Sequence, residues 1–271
     1  MLLVMLFMEK FNLWIARHKL LAFLLLVPTT TLSMWYIFAA LETPKIVLSV
    51  FLIVWFLIFS IGIWGIEIVL LDKPAKAFDE ICDPVSYYEI ITTLLSYKPK
   101  TNQKNLLLIN YSSALCGMGE YEKAFEILKE INIDLIINLD VKLVYYYNLA
   151  VLCDRLGKTD EAVIWYQKVI DIYNAFKESK TKNRYTSSCD TAIAKIAVIG
   201  GEYERALEIF EKINASCKRE KVGISLSSAK LYLKLNNIEK AKEKLNYVIV
   251  NGNKLYAVTE AKQLLEKANN I

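Results

Sequence analysis

Two long apolar runs without charged residues lie near the start of the chain, over residues 20–41 and 46–66. At a rise of about 1.5 Å per residue, a helix of either length crosses the roughly 30 Å hydrocarbon core of a bilayer. Only a short polar segment, residues 42–45, separates the two runs. The pattern therefore predicts a two-helix transmembrane hairpin over residues 20–71, with both of its ends on the same side of the membrane.

Cations flank the two apolar runs and indicate an orientation. Lys10, Arg17 and Lys19 precede the first run, and two further lysines follow the second. Because positive charge concentrates on the inner side of membranes, we expect a multi-pass, two-span protein of the cell membrane with both termini in the cytoplasm. The segment 1–19 mixes these cations with large apolar residues and is predicted to lie along the inner membrane surface.

Pro28 and Glu67 are the unusual residues within the two runs. Three threonines follow Pro28, and their hydroxyls can satisfy carbonyl groups near the proline. We interpret this stretch as a structural kink, with a gating or substrate role as the alternative. Glu67 lies close to the cytoplasmic end of the second run, so we interpret it as an interfacial carboxylate and keep an ion pathway as the alternative.

From residue 105 onward the apolar positions follow a helical repeat. Within each repeat a small residue lies twelve positions before an anchor alanine, a glycine or asparagine lies five before it, and large apolar residues lie four and seven after it. Small residues let two helices pack closely, and glycine or asparagine can end the first helix in the left-handed conformation. The large residues form a face that packs onto the next pair. Four anchor alanines recur at steps of 38, 44 and 35 residues: Ala124, Ala162, Ala206 and Ala241.

These segments resemble the tetratricopeptide repeat family, whose unit is a helix-turn-helix of about 34 residues. The resemblance is strongest over residues 143–173 and implies an all-α fold, in which the transmembrane hairpin precedes an α-solenoid. About four helix pairs are expected over residues 105–254, after a linker and capping helix over 72–104 and before a C-terminal capping helix over 255–271. Eight residues of the strongest unit fall on the family's pattern positions: Tyr146, Leu149, Ala150, Cys153, Gly157, Ala162, Tyr166 and Val169.

In this family the first helices of successive pairs line a concave groove that holds a peptide or a helix of another protein. Asn110 and Asn148 occupy equivalent positions, at which asparagines of the family often bind the backbone of the ligand. Lys195, Lys230 and Lys234 would favour an acidic partner or a C-terminal tail by charge complementarity. The alternative is that these side chains are simply solvated. The resemblance implies eleven groove residues: Asn110, Ser113, Tyr147, Asn148, Val151, Asp154, Arg155, Thr191, Lys195, Lys230 and Lys234.

Charge and reactive side chains narrow the classes of function. The net charge is only +4 and no basic stripe is present, so nucleic-acid binding is not expected; we interpret the pair Lys218 and Arg219 as solvated helix surface. The five cysteines lack zinc-type spacing and are interpreted as buried free thiols. Because His18 is the only histidine, no metal or cofactor site is expected. Asp154 and Arg155 have no accompanying catalytic motif, so an enzyme is not expected.

The sequence thus favours a membrane-anchored adaptor or scaffold that binds a protein or peptide partner at the cytoplasmic face of the membrane. Residues 1–71 would contact lipid, and the oligomeric state stays open. A peptide-sensing membrane receptor or regulator that uses the same groove is the alternative hypothesis. A membrane enzyme is the third and least favoured hypothesis.

Overall fold

The computed structural model describes residues 15, 18–40 and 45–269, and every secondary-structure element in these ranges is helical. The all-α prediction is confirmed for this part of the chain, which is consistent with an α-solenoid. The chain divides into two compact units, Met1–Lys73 and Pro74–Ile271.

Two predictions fall on residues whose structure is not described. Most of the predicted surface segment over residues 1–19 lies outside the described ranges. The same holds for residues 42–44 of the polar segment between the apolar runs.

The first unit contains α1 (Lys19–Ala40) and the greater part of α2 (Lys45–Glu80). Within the described ranges, one helical stretch, Leu21–Ala40, is long and apolar enough to cross a membrane by length and composition, and a shorter apolar stretch covers Ser49–Gly62. The second span, and with it the two-span hairpin, therefore stays a prediction. Helix α2 also continues through residues 72–80, which the sequence suggested as a linker.

Helix α1 continues without interruption through Pro28. The hydroxyl of Thr30 donates a hydrogen bond to the carbonyl oxygen of Leu26 at 2.6 Å, and the threonine on either side makes the equivalent bond one turn back. The indole N–H of Trp55 donates to Thr30 Oγ1 at 3.4 Å, which joins α2 to α1. The threonines thus supply hydrogen bonds around the proline, and the kink itself stays a prediction.

The second unit begins within α2 and consists of helices joined by turns and short segments. It starts with α3 (Pro84–Ser96), α4 (Thr101–Met118) and α5 (Tyr121–Lys129), and a single 3₁₀ turn (Ile133–Leu135) follows. The remaining helices are α6 (Leu139–Arg155), α7 (Thr159–Ala175), α8 (Ser179–Ile199), α9 (Tyr203–Lys212), α10 (Lys218–Lys234), α11 (Ile238–Asn251) and α12 (Tyr256–Asn269).

Helices α4 to α11 form four successive pairs, and each pair contacts the next. The anchor alanine of every pair is fully buried, as is the small residue twelve positions before it. The two helices of a pair therefore cross where neither carries a large side chain. The turn between them contains one residue with positive φ, in the left-handed region, at each predicted position: Gly119, Gly157, Gly201 and Asn236.

Candidate functional site

The first helices of the four pairs, α4, α6, α8 and α10, line a cavity of about 320 Å³ in the second unit. Three of the eleven predicted groove residues do not line it, namely Asn110, Lys230 and Lys234. The other eight do: Ser113, Tyr147, Asn148, Val151, Asp154, Arg155, Thr191 and Lys195.

The side-chain amide of Asn148 is engaged by the chain itself. Its nitrogen donates to Ser113 Oγ at 2.7 Å and lies 3.4 Å from the carbonyl oxygen of Ile109. Asn148 thus joins α6 to α4 and stabilises the packing of the first pair on the second. A ligand that used this amide would have to compete with those two acceptors.

Asp154 and Arg155 form ion pairs with different helices. Asp154 Oδ2 lies 3.0 Å from the ammonium of Lys195 on α8, and Arg155 Nη1 lies 2.8 Å from Glu260 Oε2 on α12. Adjacent residues of a helix point about 100° apart, which explains why the two do not share a partner. The pairs link the second helix pair to the third pair and to the C-terminal helix.

Glu260 is not among the groove residues predicted from the repeat pattern. Its second carboxylate oxygen pairs with Lys230, so two cations from α6 and α10 meet on one carboxylate. The exposed fractions of the side chains are 25% for Arg155, 21% for Glu260 and 39% for Lys230. The charges of Arg155 and Lys230 are therefore matched by an acidic group of the chain, from a helix expected only to cap the stack.

Burial and charge act in opposite directions on the pKa values of this cluster. Burial raises the pKa of the Glu260 carboxyl, but the charges and hydrogen bonds of Arg155 and Lys230 outweigh it and hold that pKa below its ordinary value of 4.5. Burial lowers the pKa of the Lys230 ammonium, and the neighbouring charge of Arg155 lowers it further. At neutral pH Glu260 is an anion held by cations.

The depressed pKa of Glu260 predicts a pH dependence of stability. A carboxyl whose pKa is lower in the folded state stabilises that state fully above its unfolded pKa, and the contribution disappears as the pH falls through the folded pKa. We expect Glu260→Gln to reduce the free energy of unfolding at neutral pH, and the difference from the wild type to vanish in acid. Urea titrations across pH measure this difference. Glu266→Gln, a change at an exposed position of the same helix, should show no such trend, and an equal trend in both variants would contradict the assignment.

Two further predicted cations also bind groups of the protein. Lys195 pairs with Asp154, and the exposed Lys234 donates to the hydroxyl of Tyr203 at 3.0 Å while its ammonium lies 4.4 Å from the centre of that ring. The basic side inferred from the sequence is thus neutralised or occupied within the folded chain. An acidic partner would have to exchange with these internal contacts.

The side chain of Arg219 is 40% exposed, but it is also ion-paired, which the interpretation as solvated surface did not include. Arg219 Nε donates to Asp79 Oδ1 at 2.9 Å, and the guanidinium lies 4.5 Å from the centre of the Phe78 ring. Both Arg219 and Phe78 line the cavity. The flanking Glu220 suggested a local, solvated charge cluster, whereas the actual partner lies 140 positions away in the sequence.

The five cysteines are free thiols, as expected, but they are not all buried. Cys82, Cys153 and Cys189 are buried, and burial raises the pKa of the Cys153 thiol to about 11. Cys116 and Cys217 are half-buried and line the cavity, which corrects the expectation for these two. Within the described ranges no group of histidine, cysteine or acidic side chains could hold a metal ion.

The segment before α12 joins the last helix pair to the beginning of the unit. The Lys254 ammonium lies 2.6 Å from Asp83 Oδ2, its backbone N–H donates to the Cys82 carbonyl at 3.2 Å, and the side-chain amide of Asn253 donates to the Ile81 carbonyl at 2.8 Å. Helix α12 itself contacts α11, α10 and α4. It therefore does more than cap the last pair, since it also reaches the first.

A comparison with known protein families identifies one of the four repeats. Residues 143–176 match the family model described as tetratricopeptide repeat, which is the stretch where the sequence pattern is strongest. The match and the helical fold support a protein of the tetratricopeptide repeat type. Repeats of this type generally form scaffolds for protein interaction rather than enzymes.

The similarity to other proteins is limited. The crystal structure of BtubC (BKLC) from P. vanneervenii is 18% identical in sequence, with a TM-score of 0.35 over 70% of this chain and 86% of that chain. A likeness of this size carries no argument about fold or function. No curated protein matches the chain in sequence.

Proposed function

We propose that this protein is a membrane-anchored scaffold that binds a protein or peptide partner in the cavity lined by α4, α6, α8 and α10. The observation that carries the proposal is the convergence of these four helices on one cavity. Helix α6 alone contributes an aromatic ring, an amide, an apolar side chain and two charges, from Tyr147 to Arg155. A site with apolar walls and a few placed polar groups is typical of ligand recognition.

The side chains of the first unit support the membrane anchor. Large apolar side chains are exposed along both of its helices, among them Leu32 and Tyr36 on α1 and Ile46 and Ile61 on α2. An exposed apolar surface of this extent is stable only in contact with another apolar phase, for which lipid is the natural candidate. We infer a cytoplasmic location for the repeats from the flanking cations. Protease added to sealed, right-side-out cells should leave the repeats intact, and cleavage there would overturn the orientation.

Val151 offers a direct test of the cavity as the binding surface. It lines the cavity and is half-buried, so Val151→Trp should fill the space that a partner needs. We expect this variant to recover at least tenfold less partner than the wild type when tagged protein is isolated from solubilised membranes. Ile164→Trp is the matched control, since Ile164 is 60% exposed and does not line the cavity. Equal recovery with both variants would contradict the proposal.

A further inference from the structure

Four side chains around the start of α12 bind the rest of the second unit: Asn253, Lys254, Tyr256 and Glu260. We propose that these residues form a latch that holds α12 against the cavity, whose lining includes Leu255 and Ala257. A partner displaces the latch by placing a carboxylate between Arg155, which lines the cavity, and Lys230, which lies beside the lining, in place of Glu260. This inference rests on the proposed function, because it assigns the chemistry of the partner that the cavity receives.

The first contact of the latch joins the two ends of the array. Asn253 and Lys254 bind the segment of residues 81–83, which connects α2 to α3. Lys254 makes two bonds there, one through its backbone and one through its ammonium. The last helix pair is thereby held to the residues that precede the first.

The second contact places Tyr256 on the turn of the first pair. Its ring packs edge-on against Tyr121, with 6.0 Å between the ring centres. A Cβ atom added to Gly119 would lie only 2.5 Å from the Tyr256 ring. Glycine at this turn therefore serves two purposes, since it permits the positive φ and leaves room for Tyr256.

The third contact, between Glu260 and two cations, indicates which chemical group can displace the latch. Arg155 and Lys230 reach the same carboxylate from different helices, so removal of Glu260 would leave two like charges close together without an anion. A half-buried cation pair of this kind favours an incoming anion. A carboxylate restores the hydrogen bonds of both cations, whereas a neutral amide does not restore the charge.

The latch is held mainly by polar contacts, which makes it displaceable. Asn253, Lys254 and Tyr256 are exposed, and Leu255 is the buried apolar side chain of residues 253–260. Little apolar area therefore fixes the beginning of this segment, whereas Leu264 and Leu265 are half-buried and anchor the rest of α12. A carboxylate that replaces Glu260 forms the same ion pairs with Arg155 and Lys230, so the exchange leaves the number of charge-assisted hydrogen bonds unchanged. A partner carboxylate can therefore compete with Glu260, although it must overcome the advantage of a tethered competitor.

The test uses the full chain in detergent micelles and two synthetic peptides. One peptide has the sequence of residues 254–263, and the other carries glutamine in place of the residue corresponding to Glu260. A tethered group acts at an effective concentration on the order of millimolar, so Glu260→Gln should bind the glutamate peptide at least tenfold more tightly than the wild type does. The glutamine peptide should bind neither protein measurably. Equal binding of the two peptides would overturn the carboxylate assignment.

Hydrogen exchange of the same samples reports on the latch itself. In Glu260→Gln the backbone amides of the second turn of α12, which donate the first helical hydrogen bonds, should exchange at least tenfold faster, and in the control Glu266→Gln they should not change. Unchanged exchange in Glu260→Gln would overturn the latch. If recovery of a partner is insensitive to Val151→Trp while the latch opens as expected, the proposed function fails and the latch stands.

If Glu260→Gln does not fold, a second pair of variants tests the latch. Gly119→Ala and Gly157→Ala impose the same backbone strain, because both glycines have positive φ. Only the methyl group at position 119 meets Tyr256, since nothing lies within 4 Å of the corresponding position at Gly157. Faster exchange at the start of α12 in Gly119→Ala alone supports the latch, and the same exchange in both variants contradicts it.

Discussion

Replacing Phe210 by alanine should lower the free energy of unfolding of the second unit by about 3–5 kcal/mol. Phe210 is 1% exposed and packs in one cluster with Ala194, Ala206 and Leu231. It therefore joins the third helix pair to the first helix of the fourth. Truncation removes a large buried ring and leaves a cavity, and both effects destabilise the stack. Urea titration followed by circular dichroism measures the change.

The control for this prediction is Val250→Ala. Val250 lies on α11 and is 80% exposed, so its truncation should change the free energy of unfolding by less than about 0.5 kcal/mol. A loss from Phe210→Ala as small as the loss from Val250→Ala would show that Phe210 does not stabilise the stack.

Enlarging the anchor alanine of the second pair should also destabilise the protein. Ala162 is fully buried and faces a helix whose own small residue, Ala150, is fully buried too. Leucine at position 162 would push α6 and α7 apart, and overpacking of this kind costs about 1–3 kcal/mol. Ala175→Leu is the matched control, since Ala175 lies at the exposed end of the same helix. A midpoint of unfolding unchanged by Ala162→Leu would contradict the close crossing of the two helices.

The helix pairs follow from local chemistry and could therefore be predicted. A left-handed turn needs glycine or asparagine, and a close crossing needs small side chains. Both requirements act within one unit of the repeat. Gly157 and Asn236 accordingly adopt positive φ as expected.

The internal partners of the site could not be predicted in the same way. Arg155 pairs with Glu260 across 105 positions and Arg219 with Asp79 across 140. Such pairs depend on the curvature of the array, and the curvature depends on the length and conformation of the segments between units. A charged residue on a helix face has the same local pattern whether it is solvated or paired at long range. The sequence could therefore place Arg155 near the cavity, but it could not identify Glu260.

The repeat pattern also separates packing residues from candidate binding residues. Ala150, Gly157 and Tyr166 form and stack the second pair, as their burial and backbone conformation indicate. Among the remaining residues, Asn148 is used to join two pairs. Tyr147 and Val151 are then the uncharged predicted groove residues of α6 that line the cavity besides Asn148, and they are the positions at which a partner is best sought.

The most direct test of a partner bound in the cavity is photo-crosslinking in intact membranes. Benzoylphenylalanine would replace Tyr147, a half-buried aromatic residue of the cavity, and in a parallel sample it would replace the exposed Ile164. We expect a discrete crosslinked product from position 147 that is absent from position 164 and is lost when Val151→Trp is added. Crosslinks of equal yield from both positions, or a product at 147 that survives Val151→Trp, would contradict the account.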